Sequence, residues 1–301
     1  QIASHYIASN FKQLGLQPAG TEGYLQPVPM KQSKLVQSSP KLSLTVDGKA
    51  TDFAFPKQFM TGPSSHEGKV DVSAGLVFVG YGLVSKEFGI DDYAGLDVKG
   101  KVVVILPGRP ESLPSEEAAH IASLKARTAA EKGAVGMITI NTPKDEKMRP
   151  FAQGALFLHM PRIRWLHADG VAEGDYPQLK ISASLDMKPA EALFAKAPQS
   201  LKDIYAQLEK KQAPKGFVLP GEVNFSRQSE HQQISSPNVA AVLEGSDPVL
   251  KNEYVVVTAH SDHIGVGVDM RSKDRINNGL MDNAAGVAIM LETARLFVNS
   301  P

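Results

Sequence analysis

The stretch that decides the fold reads Tyr254-Val-Val-Val-Thr-Ala259, then His260-Ser-Asp-His-Ile-Gly265, a glycine-containing loop and Asn278-Gly-Leu-Met-Asp-Asn-Ala-Ala-Gly286. The first six residues are dominated by β-branched side chains, which is typical of a buried strand. Beyond Gly286, apolar side chains recur at helical spacing, at Val287, Met290, Leu291, Ala294 and Phe297. This stripe predicts a helix over about 286–298. The stretch therefore predicts a strand, a polar loop and a helix in succession.

Three side chains of this stretch are candidates for a metal site. His260 directly follows the predicted strand and Asp282 lies at the start of the predicted helix. Ligands of open α/β sheets gather outside the carboxyl ends of strands, and an imidazole with a carboxylate is a common start of a zinc site. On an extended backbone Asp262 shares a face with His260, where it could accept the second ring N–H. We therefore predict His260 and Asp282 as metal ligands and Asp262 as the residue that orients His260.

Simpler roles remain open for the same residues. A single His-x-Asp is most often a surface or hydrogen-bonded pair, and Asp282 could serve only as the N-cap of the following helix. His263, the fourth residue of the motif, is predicted to pack or to hydrogen-bond rather than to bind metal. The pairing of His-x-Asp with the helix start at Asp282 is what favours a metal site.

The middle of the chain predicts a small α/β unit. Short apolar runs at 76–79, 101–106 and 136–140 are typical of strands, and helical spacing covers about 115–132. We expect residues of about 75–140 to form a compact subdomain, separate from a sheet that holds strands 238–243 and 254–259.

Composition excludes several classes of function. The 32 basic and 32 acidic residues cancel, so the charge does not indicate a nucleic-acid partner. No run approaches the roughly 18 apolar residues of a membrane span. The chain has no cysteine, so a metal would have to be held by His, Asp and Glu. The composition indicates no oligomeric state.

Two groups of motifs resemble a known family. His260-Ser-Asp-His-Ile-Gly265 with Asn278–Gly286 is similar to the signature of the zinc exopeptidases that include bacterial leucyl aminopeptidases, aminopeptidase Y and glutamate carboxypeptidase. Val77-Phe-Val-Gly-Tyr-Gly82 and Lys132-Gly-Ala-Val-Gly-Met-Ile138, with the run from Asp91 to Ile105, resemble the protease-associated (PA) domain inserted in many members. The resemblance extends over nearly the whole chain.

The resemblance implies a role for each candidate residue. In that family the histidine of His-x-Asp, matching His260, binds one zinc ion. The aspartate matching Asp282 bridges two zinc ions, and the one matching Asp262 steers the histidine. Ala285 stands where serine is common, a difference that leaves the metal ligands unchanged.

The resemblance also implies a fold and a domain order. It predicts an α/β catalytic domain with a mainly parallel mixed sheet flanked by helices, formed by residues 1–45 and 226–301. A smaller PA-type domain is predicted as an insertion at 46–225. The first helix, with Ile7, Phe11 and Leu14 on one side, is expected to pack against residues beyond 226.

The implied function is that of a zinc-dependent exopeptidase, specifically an aminopeptidase with two zinc ions that acts on peptides with a free N-terminus. The bacterial relatives suggest a periplasmic or secreted protein. The family completes its site with a Glu-Glu pair, whose first Glu is the general base, and with a further acidic residue and a His. Glu116-Glu117 is the only Glu-Glu here and precedes His260. We therefore expect the chain to lack the end of the catalytic domain, and by itself to hold no fully ligated zinc, to show no peptidase activity and to leave an apolar sheet edge uncovered.

Two alternatives from other classes remain. One is a binding protein without activity, with the architecture of the transferrin receptor, against which the presence of both His260 and Asp282 argues. The other is a zinc-dependent acyltransferase of the glutaminyl cyclase type. Such cyclases generally lack the insertion, so residues 75–140 argue against it.

Overall fold

The computed structural model describes residues 2–110, 112–267 and 273–300. The chain divides into two compact units, which are named here for their places along the sequence. The outer unit consists of Gln1–Met30 with Gln233–Pro301, and the inner unit of Lys31–Gln232. The sequence-based boundaries stood at 45/46 and 225/226. Residues 31–45 lie in the inner unit because Lys41–Val46 hydrogen-bond with the strand that contains Glu222–Ser226.

The helices and strands are numbered along the chain. The helices are α1 (Ile2–Gln13), α2 (Ser115–Ser123), α3 (Lys125–Glu131), α4 (Pro143–Met148), α5 (Met187–Phe194), α6 (Leu201–Glu209) and α7 (Ala285–Val298). The strands are β1 (Gln17–Pro18), β2 (Leu25–Leu35), β3 (Lys41–Val46), β4 (Lys49–Phe53), β5 (Phe59–Thr61), β6 (Lys69–Phe78), β7 (Val84–Ser85), β8 (Ile90–Asp91), β9 (Val102–Ile105), β10 (Gly136–Ile140), β11 (Arg162–Trp165), β12 (Ile181–Leu185), β13 (Phe217–Val239), β14 (Ala241–Val242), β15 (Gly265–Val266) and β16 (Ile276–Asn277). Short 3-10 helices cover Phe151–Phe157 and Leu250–Asn252.

A mixed ten-stranded sheet organises the inner unit. Its order is β11-β2-β13-β6-β9-β10-β12-β5, with β3 beside β13 and β4 beside β3. The neighbours β6, β9, β10 and β12 run parallel, whereas β13 runs antiparallel to β3 and β6. The predicted α/β class, with helices on a mixed sheet, is confirmed. The strands expected to form a subdomain of about 75–140 belong instead to this larger sheet, because β6 and β10 pair with strands from outside that range.

Alternating side chains of β9 bury both faces of the sheet. Val102 and Val104 belong to an apolar cluster that includes residues of α5 and α6, while Val103 and Ile105 belong to a second cluster that includes Ala129 of α3. A strand covered on both faces is expected to be a continuous apolar run. In the first cluster, the Phe78 ring lies 5.4 Å from that of Phe194 and 5.3 Å from that of Phe217, measured between centroids.

The outer unit contains its own apolar cluster. Ile7, Phe11 and Leu16 are buried there, and their neighbours include Val239, Ala241 and four side chains of α7: Val287, Met290, Leu291 and Ala294. The expectation that the first helix packs against residues beyond 226 is therefore confirmed. Four of the five stripe residues that predicted α7 therefore face this cluster, whereas the fifth, Phe297, is exposed.

The prediction of a strand at 254–259 was wrong. These residues have no regular secondary structure, and the exposed fractions of Val255 and Val256 are 95% and 77%. The predicted strand at 238–243 is also divided, since β13 ends at Val239 and β14 pairs with β1. A strand is held by hydrogen bonds to its neighbours, and no described strand pairs with residues 254–259. Together with exposed Leu280, Ile289 and Phe297, this segment leaves apolar surface uncovered. It is not the expected sheet edge, because residues 254–259 form no strand. Among the described helices, none combines the length and hydropathy that crossing a membrane requires.

The inner unit contains a buried lysine side chain at the start of α3. Lys125, at the start of α3, is 8% exposed. Its ammonium group donates hydrogen bonds to the carbonyl oxygens of Leu106 (2.9 Å) and Gly108 (2.8 Å). Burial lowers the pKa of Lys125 to about 8, and the nearby carboxylates of Asp92 and Asp145 oppose that change. A charged group removed from water is costly unless paired, so the ammonium destabilises the folded state at neutral pH.

This burial predicts a pH dependence of stability. Below about pH 8 Lys125 is charged in both states and its penalty is fully present. Between about pH 8 and the ordinary value of 10.5 the unfolded state binds more protons, so the free energy of unfolding rises with pH. In urea denaturation, wild type should gain about 3 kcal/mol over Lys125→Met across this window, since a tenfold change in proton affinity corresponds to about 1.4 kcal/mol. The exposed Lys202→Met variant keeps Lys125, so wild type should gain no stability over that variant across the same window. A gain of wild type over Lys202→Met as large as its gain over Lys125→Met would contradict the assignment.

Candidate functional site

His260 lies in the outer unit between two carboxylates. Its Nε2 is 3.0 Å from Oδ1 of Asp282, within the roughly 3–4 Å expected between two ligands of one zinc ion. On the other side of the ring, Nδ1 lies 3.0 Å from the carbonyl oxygen of Asp262 and 3.4 Å from its Oδ1. The structure thus brings the three predicted site residues together. Their assignment as metal ligands and as the orienting residue remains a prediction.

The backbone around Asp282 is irregular. Leu280–Ala284 form a helical turn interrupted at Asp282 and Asn283, whose φ/ψ values are not helical. The peptide bond between these two residues is cis. The Asn283 side-chain oxygen accepts a hydrogen bond from the Gly286 N–H at 3.1 Å, as an N-cap residue does. Asn283 therefore provides a cap-like bond next to α7, and the Asp282 carboxylate faces His260.

Two glycines permit this close packing. Gly279 has a φ of +66°, and a Cβ added there would lie 2.9 Å from Cβ of His263 and 3.0 Å from the carbonyl oxygen of Asp282. A Cβ on Gly286 would lie 2.3 Å from the Asn283 amide oxygen. Glycine is the residue that tolerates a left-handed backbone and such approach. The glycines of the Asn278–Gly286 motif therefore serve the geometry of Asp282.

His263 contacts the second oxygen of the same carboxylate. Its Nδ1 lies 3.6 Å from Oδ2 of Asp282, and only about a quarter of its side chain is exposed. Its position agrees with the prediction of a packing or hydrogen-bonding residue. The proximity to Asp282 could not be read from a spacing of 19 residues, because it depends on the turn at Gly279.

A short hairpin follows the motif. β15 and β16 pair antiparallel, with Gly265 opposite Asn277. The side chain of Asn277 donates a hydrogen bond to the Gly265 carbonyl oxygen at 3.1 Å, and Nε of Arg275 donates one to the Gly267 carbonyl oxygen at 2.9 Å. This hairpin connects the chain leaving His260 and His263 to the turn that carries Asp282.

The donor set fits zinc in kind. An imidazole nitrogen and a carboxylate oxygen are usual zinc ligands, and a catalytic site takes three protein ligands per ion. In the part of the chain that the structure describes, no group of three or more His, Cys, Asp or Glu side chains is arranged to hold a metal ion. Glu116 and Glu117 lie exposed in the first turn of α2 in the inner unit. The described residues therefore supply His260 and Asp282 as two ligands of the appropriate type.

Comparisons with known proteins agree with the motifs. Residues 238–301 match the sequence model of peptidase family M28, and residues 69–171 match that of the PA domain. No curated protein matches the chain. Among solved structures, a similar one is BSAP, a zinc aminopeptidase from Bacillus subtilis, with 16% identity and a TM-score of 0.33. That match covers 99% of this chain and 51% of BSAP, so the chain spans about half the length of that structure.

The turn at Gly279 gives a testable prediction. Alanine there combines the cost of a left-handed backbone, about 1–2 kcal/mol, with the contacts at 2.9 and 3.0 Å. Gly265 has a similar φ of +69° but nothing within 4 Å of an added Cβ, so Gly265→Ala is the matched control. In urea denaturation Gly279→Ala should lose more stability than Gly265→Ala. In NMR spectra it alone should shift the ring signals of His263. Equal losses with unshifted signals would contradict this packing.

Proposed function

We propose that this chain, which carries a segment of peptidase family M28 and an inserted PA domain, is part of a zinc-dependent exopeptidase, an aminopeptidase. The observation that carries the proposal is the 3.0 Å distance between Nε2 of His260 and Oδ1 of Asp282, with Asp262 at the other ring nitrogen. The proposed substrates are peptides with a free N-terminus. A periplasmic or secreted location is proposed from the family resemblance alone.

The contacts of the two ring nitrogens of His260 support this assignment. A ring that donates its Nδ1–H to Asp262 presents the lone pair of Nε2 to the Asp282 carboxylate. Two acceptors at this distance need a proton or a metal cation between them. A metal-binding histidine usually donates its other N–H to a carboxylate or carbonyl in this way. Asp262 offers both groups and would hold the ring in the orientation that binds metal.

Asp282 is proposed to serve both ions of a two-zinc site. Its Oδ1 faces His260, and its Oδ2 lies on the opposite side of the carboxylate, towards His263. One carboxylate with two separately directed oxygens can contribute to two ions. Bound zinc would lower the pKa of a water molecule towards about 7 and polarise the carbonyl group of the substrate. Because a catalytic zinc takes three protein ligands, the proposal includes further ligands beyond the described residues, together with a general base.

Substitution of these residues tests the proposal in the intact protein. His260→Ala and Asp282→Asn each remove one zinc ligand and should lower hydrolysis of aminoacyl-nitroanilides by at least about a hundredfold. Asp262→Asn removes the carboxylate charge but keeps the main-chain carbonyl oxygen that faces Nδ1 of His260. It should therefore weaken zinc affinity by about 10-fold, the lower end of the usual effect of losing an orienting partner. Zinc content and competition with a chelator measure the binding directly. His5→Ala is the control, since His5 is an exposed histidine of the same unit.

The outcomes separate the candidate functions. Hydrolysis that stops with a chelator and returns with zinc supports the proposal. Hydrolysis that persists in the chelator or in His260→Ala contradicts it. Zinc binding with release of ammonia from glutaminyl peptides would indicate a cyclase, and binding of a partner without turnover would indicate a protein of another class. On its own, a chain offering two ligands is proposed to be inactive.

A further inference from the structure

The inner unit contains a cavity of about 200 Å³ whose lining includes several charged side chains. The residues that matter here are His66, Arg162, Arg164, Asp175, Lys180 and Arg227. They come from the β5–β6 connection, β11, the segment before β12 and β13. The family motifs identified in the sequence include none of them, and the proposed peptidase function makes no use of them.

Arg227 is the most buried of these cations, at 4% exposed. Its Nη1 donates hydrogen bonds to the Thr61 hydroxyl and the Gly62 carbonyl oxygen, both at 2.8 Å, and Nη2 donates one to the Lys180 carbonyl oxygen at 3.2 Å. Its Nε is buried and has no hydrogen-bond partner among the described residues. A buried donor without a partner costs free energy, so the fold leaves one N–H of this guanidinium group unsatisfied among the described residues.

Two further guanidinium groups line the same cavity. Arg162 and Arg164 lie on β11, two residues apart and therefore on the same face of that strand. Within the described parts of the chain, neither forms a hydrogen bond or an ion pair. A Cβ on Gly62 would lie 2.7 Å from Nη2 of Arg162, and one on Gly174 would lie 3.0 Å from Nη1 of Arg164. The absence of a side chain at Gly62 and Gly174 therefore provides the space that the two guanidinium groups occupy.

The charges of the cavity are not balanced. Glu67 pairs with Lys180, and Asp175 lies 3.5 Å from Nε2 of His66. Burial, and after it the charge of Arg162, lowers the pKa of Arg227 to about 10, while Asp175 and Glu67 offset this in part. Burial lowers the pKa of Arg162 as well. Three guanidinium groups and the Lys180 ammonium group therefore share the cavity with two carboxylates, so the positive charges outnumber the negative ones. Glu67 pairs with Lys180, while the buried Oδ2 of Asp175 has no hydrogen-bond partner among the described residues.

We propose that this cavity of the inner unit binds a small anion through a carboxylate or phosphate group, held by Arg162, Arg164 and Arg227. Guanidinium groups match both anions with paired N–H donors, and such charge-assisted hydrogen bonds are among the strongest in proteins. An anion would offset the repulsion between the like charges of these groups. The inner unit would thus bind a ligand independently of zinc.

Calorimetric titration of the zinc-free chain with inorganic phosphate and with succinate, each at constant ionic strength, tests the proposal. At least one of the two anions should bind saturably where chloride does not, and which one binds identifies the group. Arg162→Gln and Arg164→Gln should each weaken binding about 10- to 100-fold, as expected for the loss of one charge-assisted hydrogen-bonded partner. Arg127→Gln removes an equal charge from the exposed pair with Glu131 and should leave the affinity unchanged.

Two further variants keep the result decisive. If Arg162→Gln fails to fold, Arg164→Gln and the charge-conserving Arg162→Lys serve in its place, and the lysine should bind more weakly than wild type because it lacks the paired donors. Absence of saturable binding of both anions overturns the proposal. Equal weakening in Arg127→Gln and in the cavity variants also overturns it, because general electrostatic attraction would then explain the binding.

Discussion

Antiparallel pairing along β13 is the interaction on which the inner unit depends. β13 lies between β2 and β6 in the sheet order and also pairs with β3. A register shift between Leu219 and Glu222 interrupts its pairing with β6. Gly221, with a φ of +87°, permits this bulge, since a Cβ there would lie 2.4 Å from the Thr45 carbonyl oxygen. Beyond the bulge, Val223, Phe225 and Arg227 are all buried, as period-two alternation requires. The same alternation that forms the core therefore also buries the guanidinium group of the proposed anion site.

The outer unit brings its candidate ligands together by local means. His260 and His263 belong to one short motif, and the turn at Gly279 returns the chain so that Asp282 faces both imidazoles. Residues close in sequence thus determine most of this geometry. The α1–α7 contact partly buries Met290 and Leu291, which anchors the helix that starts beside Asp282. The two proposed sites favour ligands of opposite charge. At His260 both ring nitrogens face oxygen atoms, of Asp282 and Asp262, which favours a bound cation. At Arg227 three guanidinium groups line one cavity, which favours a bound anion.

Most features that the sequence predicted depend on neighbouring residues, whereas the features that it missed depend on distant ones. The proximity of His260, Asp262 and Asp282, the α7 stripe and the α/β class were all available from motifs and periodicity. The predicted strand at Tyr254–Ala259 was wrong, because β propensity does not provide the partner that a strand needs. The cavity with Arg162 and Arg227 was not predicted either. Its side chains come from segments far apart in the chain, and a solitary arginine on a strand carries no sequence signal of a shared site.

The most direct test of the central claim is a crystal structure of the intact protein with zinc, with an anomalous difference map recorded at the zinc absorption edge. The account predicts a zinc peak between Nε2 of His260 and the Asp282 carboxylate, while Nδ1 of His260 keeps its contact with Asp262. A map without a peak at this position would contradict the account. So would a zinc ion bound through Nδ1 of His260, or one held by His263 in place of His260.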